Sequence, residues 1–505
     1  MLFWLLILLP MLFACVCYAI GKKLKTARDR LACICGVLEL ALAVFALLTA
    51  NQDFYSGIGG GLWLHFSLDG FRKVYVLVIA FLWCMTLLFS GEYFAHYHNR
   101  NRYYFFNLMT LGATMGVFLA GSLYTAFVFF EIMSFTSYVW VLHEQSEEAL
   151  KAANTYLAVA VIGGLVALMG LFLLQWRIGT TDICKLYYAA RTCPDKGVLY
   201  AAGGCILFGF GAKAGMFPLH IWLPKAHPVA PAPASALLSG LLTKSGIWGI
   251  LAISCNLFRD DPAWGTLILA LGTVTMLLGA VLALLSIDLK RTLACSSMSQ
   301  IGFVLVGIGM MGLLGEENAL AARGVLLHMV NHSLFKLVLF TCAGIVYVNL
   351  HKLDLNEIRG FGRRKPLLML AFLMGLLGIG GIPGWSGYVS KTLLHESIVE
   401  GQAVYGAGWL TAVEWLFLLS GGMTLAYMTK LFVAVFVEKH PEKQVEYDES
   451  RIYMNKRTAF SLLLPAALIP TLGLSAAWSM NKIADLGTDF LHAGELLHAV
   501  HYFSG

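Results

Sequence analysis

Five lysines lie inside runs of apolar sequence: Lys213 in GFGAKAGMFPLHIWLPKAHP, Lys244 in ALLSGLLTKSGIWGI, Lys336 in LLHMVNHSLFKLVLF, Lys391 in GLLGIGGIPGWSGYVSKTLL and Lys430 in MTLAYMTKLFVAVF. A carboxylate, Glu131, has the same setting in FVFFEIMSF. A charged group at the centre of a bilayer costs about 2.5–3.5 kcal/mol on insertion scales, so such residues are expected to have partners or a use. Lysine gives up its proton readily when buried, whereas arginine stays charged. Arginine would serve for fixed positive charge. A path that accepts and releases protons needs lysine, histidine or a carboxylate. His328, His332 and Lys336 follow one another at i, i+4 and i+8. Four residues make slightly more than one turn, so the three line one helix face, roughly 6 Å apart along the axis. Histidine titrates closest to neutral pH, and such a stripe can hand a proton along a helix. A histidine pair at this spacing can also bind a metal, but that requires a third ligand, and the intervening Met329, Val330 and Asn331 do not make the HExxH pattern. No metal site is expected.

The elements that carry these residues follow from composition. Of 505 residues, 59% are hydrophobic and 13% charged, with mean hydropathy +0.74. A soluble domain is about 45–50% apolar and about 25% charged. This balance excludes a cytosolic enzyme, a disordered chain and a small disulfide scaffold, and points to lipid as the main solvent. No basic run resembles a nucleic-acid patch. The fold class expected is an all-α polytopic membrane protein of about fourteen transmembrane helices, near 1–20, 31–50, 74–93, 103–121, 123–142, 155–176, 198–223, 233–258, 264–287, 293–314, 324–349, 367–400, 408–437 and 458–480. Residues 1–20 are too long and aromatic for a signal peptide and are read as the first span. With both termini outside, 21 of the 35 basic residues fall in inner loops, Arg451 among them, and 9 in outer segments. The positive-inside rule favours that orientation. The outer loop 177–197 runs against it, with four basic residues. The five lysines already named are what remains.

Two spans contain helix breakers. Lys213 is followed by Pro218 and Pro224, and Lys391 is preceded by Gly378, Gly380, Gly381, Pro383 and Gly384. Such breaks are tolerated in lipid where they line a cavity or pack on protein. The breaks fall in spans 7 and 12. If spans 4–8 and 9–13 are two five-helix units, both are fourth in their unit, a placement that points to a transport site. The expected partition is residues 1–102 for helices 1–3, 103–258 and 264–437 for the two units, and 438–505 for a loop, helix 14 and an outer tail carrying His492, His498 and His501. That tail reads as an amphipathic docking or capping piece. Glu39 and Glu414 also fall in spans; Glu414, near the outer end, would be an exit group or an interfacial carboxylate, and Lys430 could snorkel to the inner surface. The eleven cysteines include no CxxC, and no nucleotide, flavin or haem motif occurs, so no cofactor is expected in this chain. Cys184 and Cys193 share the outer loop and are free to pair or not.

GAKAGMFPLHIWLPKAHPVAPAPASALLSGLLTK (211–244) resembles the signature of the antiporter-like subunits of respiratory complex I. That superfamily also contains Mrp-type cation/proton antiporter subunits and the membrane arms of energy-converting hydrogenases. DLKRTLACSSMSQIGF (288–303), HMVNHSLFKLVLF (328–340) and GIPGWSGYVSKTLL (381–394) are similar to its later motifs, and FSLDGFRKVYVLVIAF (66–81) and FFEIMS (129–134) to its N-terminal half. The resemblance covers nearly the whole chain in order. It implies two inverted five-helix repeats with helices 7 and 12 discontinuous. It further implies a Glu131/Lys213 pair, a central lysine at Lys244, a relay at His332 with His328 and Lys336 alongside, and an exit-side group at Lys391. The chain departs from the family at Lys225, often acidic there, and at Lys391, where one complex I branch has glutamate. The implied function is a proton (or Na+/H+) translocating membrane subunit of a complex I-like, redox-driven pump, with a subunit of an Mrp-type Na+/H+ antiporter without redox coupling as the alternative. The implied partners are other antiporter-like and small helical membrane subunits, lipid, and a peripheral redox module of a translocase-type oxidoreductase. The implied location is the inner (cytoplasmic) cell membrane.

Overall fold

Long apolar runs become helices because lipid offers backbone groups no hydrogen-bond partner outside the segment. In the computed structural model, which describes residues 1–59, 62–95, 97, 99–406, 408–450 and 452–496, the chain opens with α1 (Leu2–Gly21) and α2 (Lys25–Leu48). An antiparallel hairpin follows, β1 (Gln52–Gly59) with β2 (Leu62–Leu68), with Phe54 paired to Phe66. Then come α3 (Gly70–Tyr93), α4 (Arg100–Phe118), α5 (Leu123–Val141), α6 (Glu147–Ile178), the short α7 (Ile183–Thr192), α8 (Lys196–Ala214), α9 (Leu223–Val229), α10 (Ala232–Leu237) and α11 (Thr243–Asn256). The second half holds α12 (Pro262–Leu285), α13 (Leu289–Leu314), α14 (Ala319–Leu350), α15 (Leu355–Ile358), α16 (Pro366–Gly380), α17 (Ser386–Tyr405), α18 (Gly408–Phe432), α19 (Gln444–Glu449), α20 (Lys456–Leu474) and α21 (Ala476–Leu491).

Among the described residues, twelve helical segments are long and apolar enough to cross a membrane. The other two expected spans are α4, diluted by Arg100, Asn101, Arg102 and Asn107, and 367–400, which the glycines divide into α16 and α17. The hairpin was not expected. Its strands are set by a partner strand and by a bridge from Phe66 to Ala120, which a reading of single apolar runs does not see. Local signals set the helix ends: Ser122, Ser146 and Asp288 accept backbone N–H groups of the first turns of α5, α6 and α13, and Gly179 closes α6 in the left-handed region. Of the expected C-terminal tail, α21 packs against α3 and α14, and His492 meets Asn256 Oδ1 at 3.1 Å. His498, His501 and Arg451 lie outside the described residues. Cys184 and Cys193 are both free thiols.

Burial sorts the bundle. The α10–α11 segment is wholly buried and α13 nearly so, whereas α1, α2, α6 and α18 keep one side of the helix exposed. The outer helices present apolar side chains such as Ile162, Leu165, Met169 and Phe172 of α6. Apolar side chains gain nothing by leaving lipid for one another, so the inner helices close through small residues. Gly265, Gly272 and Gly279 recur every seven residues on α12 against the α13 backbone, and Gly302 answers from α13. A Cβ on Gly302 would overlap the Met276 backbone nitrogen. Gly302→Ala is therefore expected to cost about 1–3 kcal/mol through forced helix separation, read as a lower thermal midpoint in detergent. Gly421→Ala, in α18 with open space around it, is the control and should hold or raise the midpoint. Equal midpoints for the two variants would remove this account of the packing.

Candidate functional site

The first break follows Lys213. α8 ends at Ala214, Gly215 takes φ 77°, and the chain passes Pro218 into a 3-10 turn, Leu219–Trp222, and then α9. The Ala212 carbonyl, near the end of α8, accepts Trp222 Nε1–H at 2.8 Å. Lys213 is buried, and its Nζ donates to Ser134 Oγ of α5 at 3.1 Å and Tyr156 OH of α6 at 2.5 Å. Tyr156 OH lies 2.6 Å from Ser137 Oγ, so an ammonium and three hydroxyls are strung together. Glu131 stands one turn before Ser134 on α5. Its Oε1 is buried with no hydrogen-bond partner among the described residues. The expected pairing of Glu131 with Lys213 is not made as a contact here: no ion pair joins them, although their charges act on each other. The hydroxyls of Ser134 and Tyr156 hold the ammonium instead.

The second group is central. The span of Lys244 contains a π-helical turn, Leu238–Leu242, directly before α11. Such turns disturb the regular ladder of carbonyls, and Lys244 Nζ takes the Ser239 carbonyl at 2.7 Å. Nζ also contacts Nδ1 of His332, from α14, 88 residues away. Both residues are fully or almost fully buried, and His332 Nε2 has no partner among the described residues. One helical turn on, Lys336 Nζ donates to the Leu293 carbonyl and Ser296 Oγ of α13, each at 2.8 Å. One turn back, His328 joins Ser390 Oγ at 3.0 Å and Gln300 Oε1 at 3.2 Å. The stripe thus exists as a face, but each member meets a different neighbour.

The third group is at the second break. Gly381 and Gly384 have φ 78° and 93° between α16 and α17, and a Cβ on Gly387 would overlap the Gly378 carbonyl, so the two half-helices meet backbone to backbone. Lys391 Nζ donates to the Ile379 carbonyl near the end of α16 at 2.8 Å and lies 4.7 Å from the Phe303 ring centroid. Its neighbour Ser390 is the hydroxyl that His328 uses. One turn further along α17, His395 meets Glu414 Oε1 at 3.1 Å, and Gln402 donates to Glu414 Oε2 at 2.8 Å. The lysines Lys213, Lys244, Lys336 and Lys391 therefore all donate to hydroxyls, carbonyls or an imidazole, and none is paired with a carboxylate among the described residues.

Sequence reasoning passed over two histidines. His395, at i+4 from Lys391, is one. The other is His227 of α9, fully buried, stacked 5.0 Å from Phe340, with neither ring nitrogen partnered among the described residues and with the charges of Lys336, Lys290 and Lys244 bearing on it. Its signal was a histidine between Pro224 and Pro228 just after a broken helix. Lys430 is partly exposed, and its Nζ donates to the carbonyls of Ala283, Leu284 and Ser286, capping α12. Glu39 is fully buried on α2 with neither oxygen partnered among the described residues.

Beyond the end of α5, burial and then the Arg102 cation push the His143 imidazole down to about 4. A base lowered in the fold supports stability above its unfolded value and loses it as pH falls toward the folded one. His143 should thus withdraw about 3 kcal/mol between pH 6.5 and pH 4. His143→Gln is expected to flatten the fall in thermal midpoint across that window. An unchanged fall would show that other groups cause it.

Residues 120–416 match the family described as NADH:quinone oxidoreductase/Mrp antiporter, TM. The chain is 32% identical over 448 residues to Hydrogenase-4 component B of Escherichia coli K12, a match covering 85% of this chain and 65% of that relative, just under two thirds of its length. It is 29% identical over 391 residues to a Na(+)/H(+) antiporter subunit of Alkalihalophilus pseudofirmus, covering 76% of each. Its fold matches a chain of the membrane-bound sulfane sulfur reductase, an archaeal respiratory membrane complex, with TM-score 0.83 and 24% identity over 96% of this chain and 97% of that one.

Proposed function

This chain belongs to the NADH:quinone oxidoreductase/Mrp antiporter membrane family, and on that premise we propose that it is a proton-translocating membrane subunit of a complex I-like, redox-driven pump. The observation that carries the reading is the Lys244–His332 contact, a buried link between α11 and α14 inside the most enclosed part of the bundle. On one side of it lies Lys213 with its hydroxyls. On the other lie His328, Ser390 and Lys391. A proton taken up by Lys213 passes to Lys244, then to His332, then through His328 and Ser390 to Lys391, and leaves past His395 and Glu414. Each step moves one proton between a donor and an acceptor nitrogen or oxygen, with water filling the gaps at the two helix breaks.

Glu131 and Lys213 act as the switch. Close together, the carboxylate holds the ammonium charge; apart, the lysine holds its proton less firmly and can pass it on. The arrangement with Lys213 on Ser134 and Tyr156 corresponds to the separated form. The segments 103–258 and 264–437 are two inverted repeats, and their broken helices open to opposite faces. The chain sits in the cytoplasmic membrane with both termini outside, beside other antiporter-like and small helical subunits. A peripheral redox module in the assembly sets the state of the pair.

The second reading, an Mrp-type Na+/H+ antiporter subunit without redox coupling, is favoured by the relative that is 29% identical. Acidification of inverted vesicles driven by an electron donor in sodium-free buffer supports the pump; sodium-driven proton release without a donor supports the antiporter. In either case His332→Ala in the assembled complex should lower proton flux about tenfold or more. Full flux at normal complex content would overturn the path.

A further inference from the structure

A cleft of about 460 Å³ opens at the ends of α2, α3 and α20, lined among others by Asp29, Arg30, Glu92, Lys456 and Arg457. Its two carboxylates are already engaged. Asp29 accepts from Arg28 at 2.6 and 2.9 Å and from Arg100 at 3.3 Å. Glu92 accepts the Asn455 backbone N–H at 2.9 and 3.1 Å. The three cations have no hydrogen-bond or ion-pair partner among the described residues, and all three are exposed. Two of them open α20, whose N-terminal end adds the positive pole of a helix dipole. Below the cleft, α2 and α20 present exposed apolar side chains: Ile34, Val37 and Leu38 on one helix and Phe460 on the other. Cations at a helix-end cleft above an apolar outer wall fit an amphiphile with an anionic head and acyl tails, and a free anion would make no use of the wall. The positive-inside orientation places the cleft at the leaflet that carries anionic lipid.

We propose that this cleft binds the phosphodiester headgroup of one anionic phospholipid, held by Arg30, Lys456 and Arg457, with its acyl chains along α2 and α20. The site is separate from the ion path, and its failure would leave that path untouched. The test is lipid binding to the purified full chain in detergent, with phosphatidylglycerol or phosphatidylcholine of equal chain length counted by native mass spectrometry. Phosphatidylglycerol should bind more tightly than phosphatidylcholine. Each neutralised cation is expected to weaken it about fivefold, so Arg30→Gln with Arg457→Gln should weaken it about 25-fold. Lys482→Gln, a cation beside Trp478 away from the cleft, should change nothing. The substituted side chains are exposed, so the variants are expected to fold, as gel filtration would verify. Equal affinity for the two lipids, or full retention in the double variant, would overturn the proposal. Complete displacement of phosphatidylglycerol by inorganic phosphate would also overturn it and reassign the cleft to a free anion.

Discussion

Lys244→Met is expected to stop ion translocation in the assembled complex, with a loss of about 100-fold or more in flux and normal complex content. The ammonium is fully buried, and its two close acceptors are the Ser239 carbonyl and His332 Nδ1. Methionine keeps the length and apolar stem of the side chain, so packing is retained while the proton carrier is lost. His332 then has no donor from α11, and the gap between the two halves of the path exceeds a hydrogen bond. Two further substitutions separate a relay from a scaffold. Lys244→Arg keeps the charge but does not release it, and should stay inactive. Lys244→His keeps a titratable nitrogen and should recover part of the flux. A complex that pumps normally with methionine here, or one that arginine rescues as well as histidine does, would rule out a proton relay at this position.

Lys213→Ala is expected to lower flux as well, less steeply and for a different reason. It removes the cation whose charge acts on Glu131, leaving a carboxyl whose Oε1 is already buried and unpartnered among the described residues. A carboxylate left without a nearby compensating charge in the bundle is destabilising. Flux should fall about tenfold or more, and complex content should fall as well. Adding Glu131→Gln removes the orphaned charge, so the double variant should recover assembly but no flux. That pattern is the signature of a coupled pair. Unchanged pumping by Lys213→Ala in a normally assembled complex would refute the proposed path, and independent effects of the two substitutions on assembly would refute the switch.

Much of the architecture was legible because lipid imposes local rules. Span length and the breaks at Gly381 and after Lys213 are written in contiguous residues. So is the i, i+4, i+8 stripe, since helix geometry alone puts His328, His332 and Lys336 on one face. The hairpin was not legible, because neither strand is apolar enough over a full span and each is defined by the other. His227 gave no periodic signal, and its isolation from any partner is a property of the packing around α9.

The sequence by itself determined that Lys213, Lys244, Lys336 and Lys391 are buried charges: an apolar run of about 20 residues has only one stable home, and a lysine inside it is carried along. Arg28, Arg72, Lys73, Lys290 and Lys365, which it placed in loops, are buried as well, and only the packing shows that. The sequence also determined where the helices break, because glycine and proline act on their own backbone. The tertiary structure alone decided what each charge touches. Lys244 meets a histidine 88 residues away, Lys213 rests on hydroxyls of α5 and α6 in place of Glu131, and Lys430 caps α12. Those contacts come from how closely glycine-lined helices approach one another, a sum over the whole bundle that no single segment encodes.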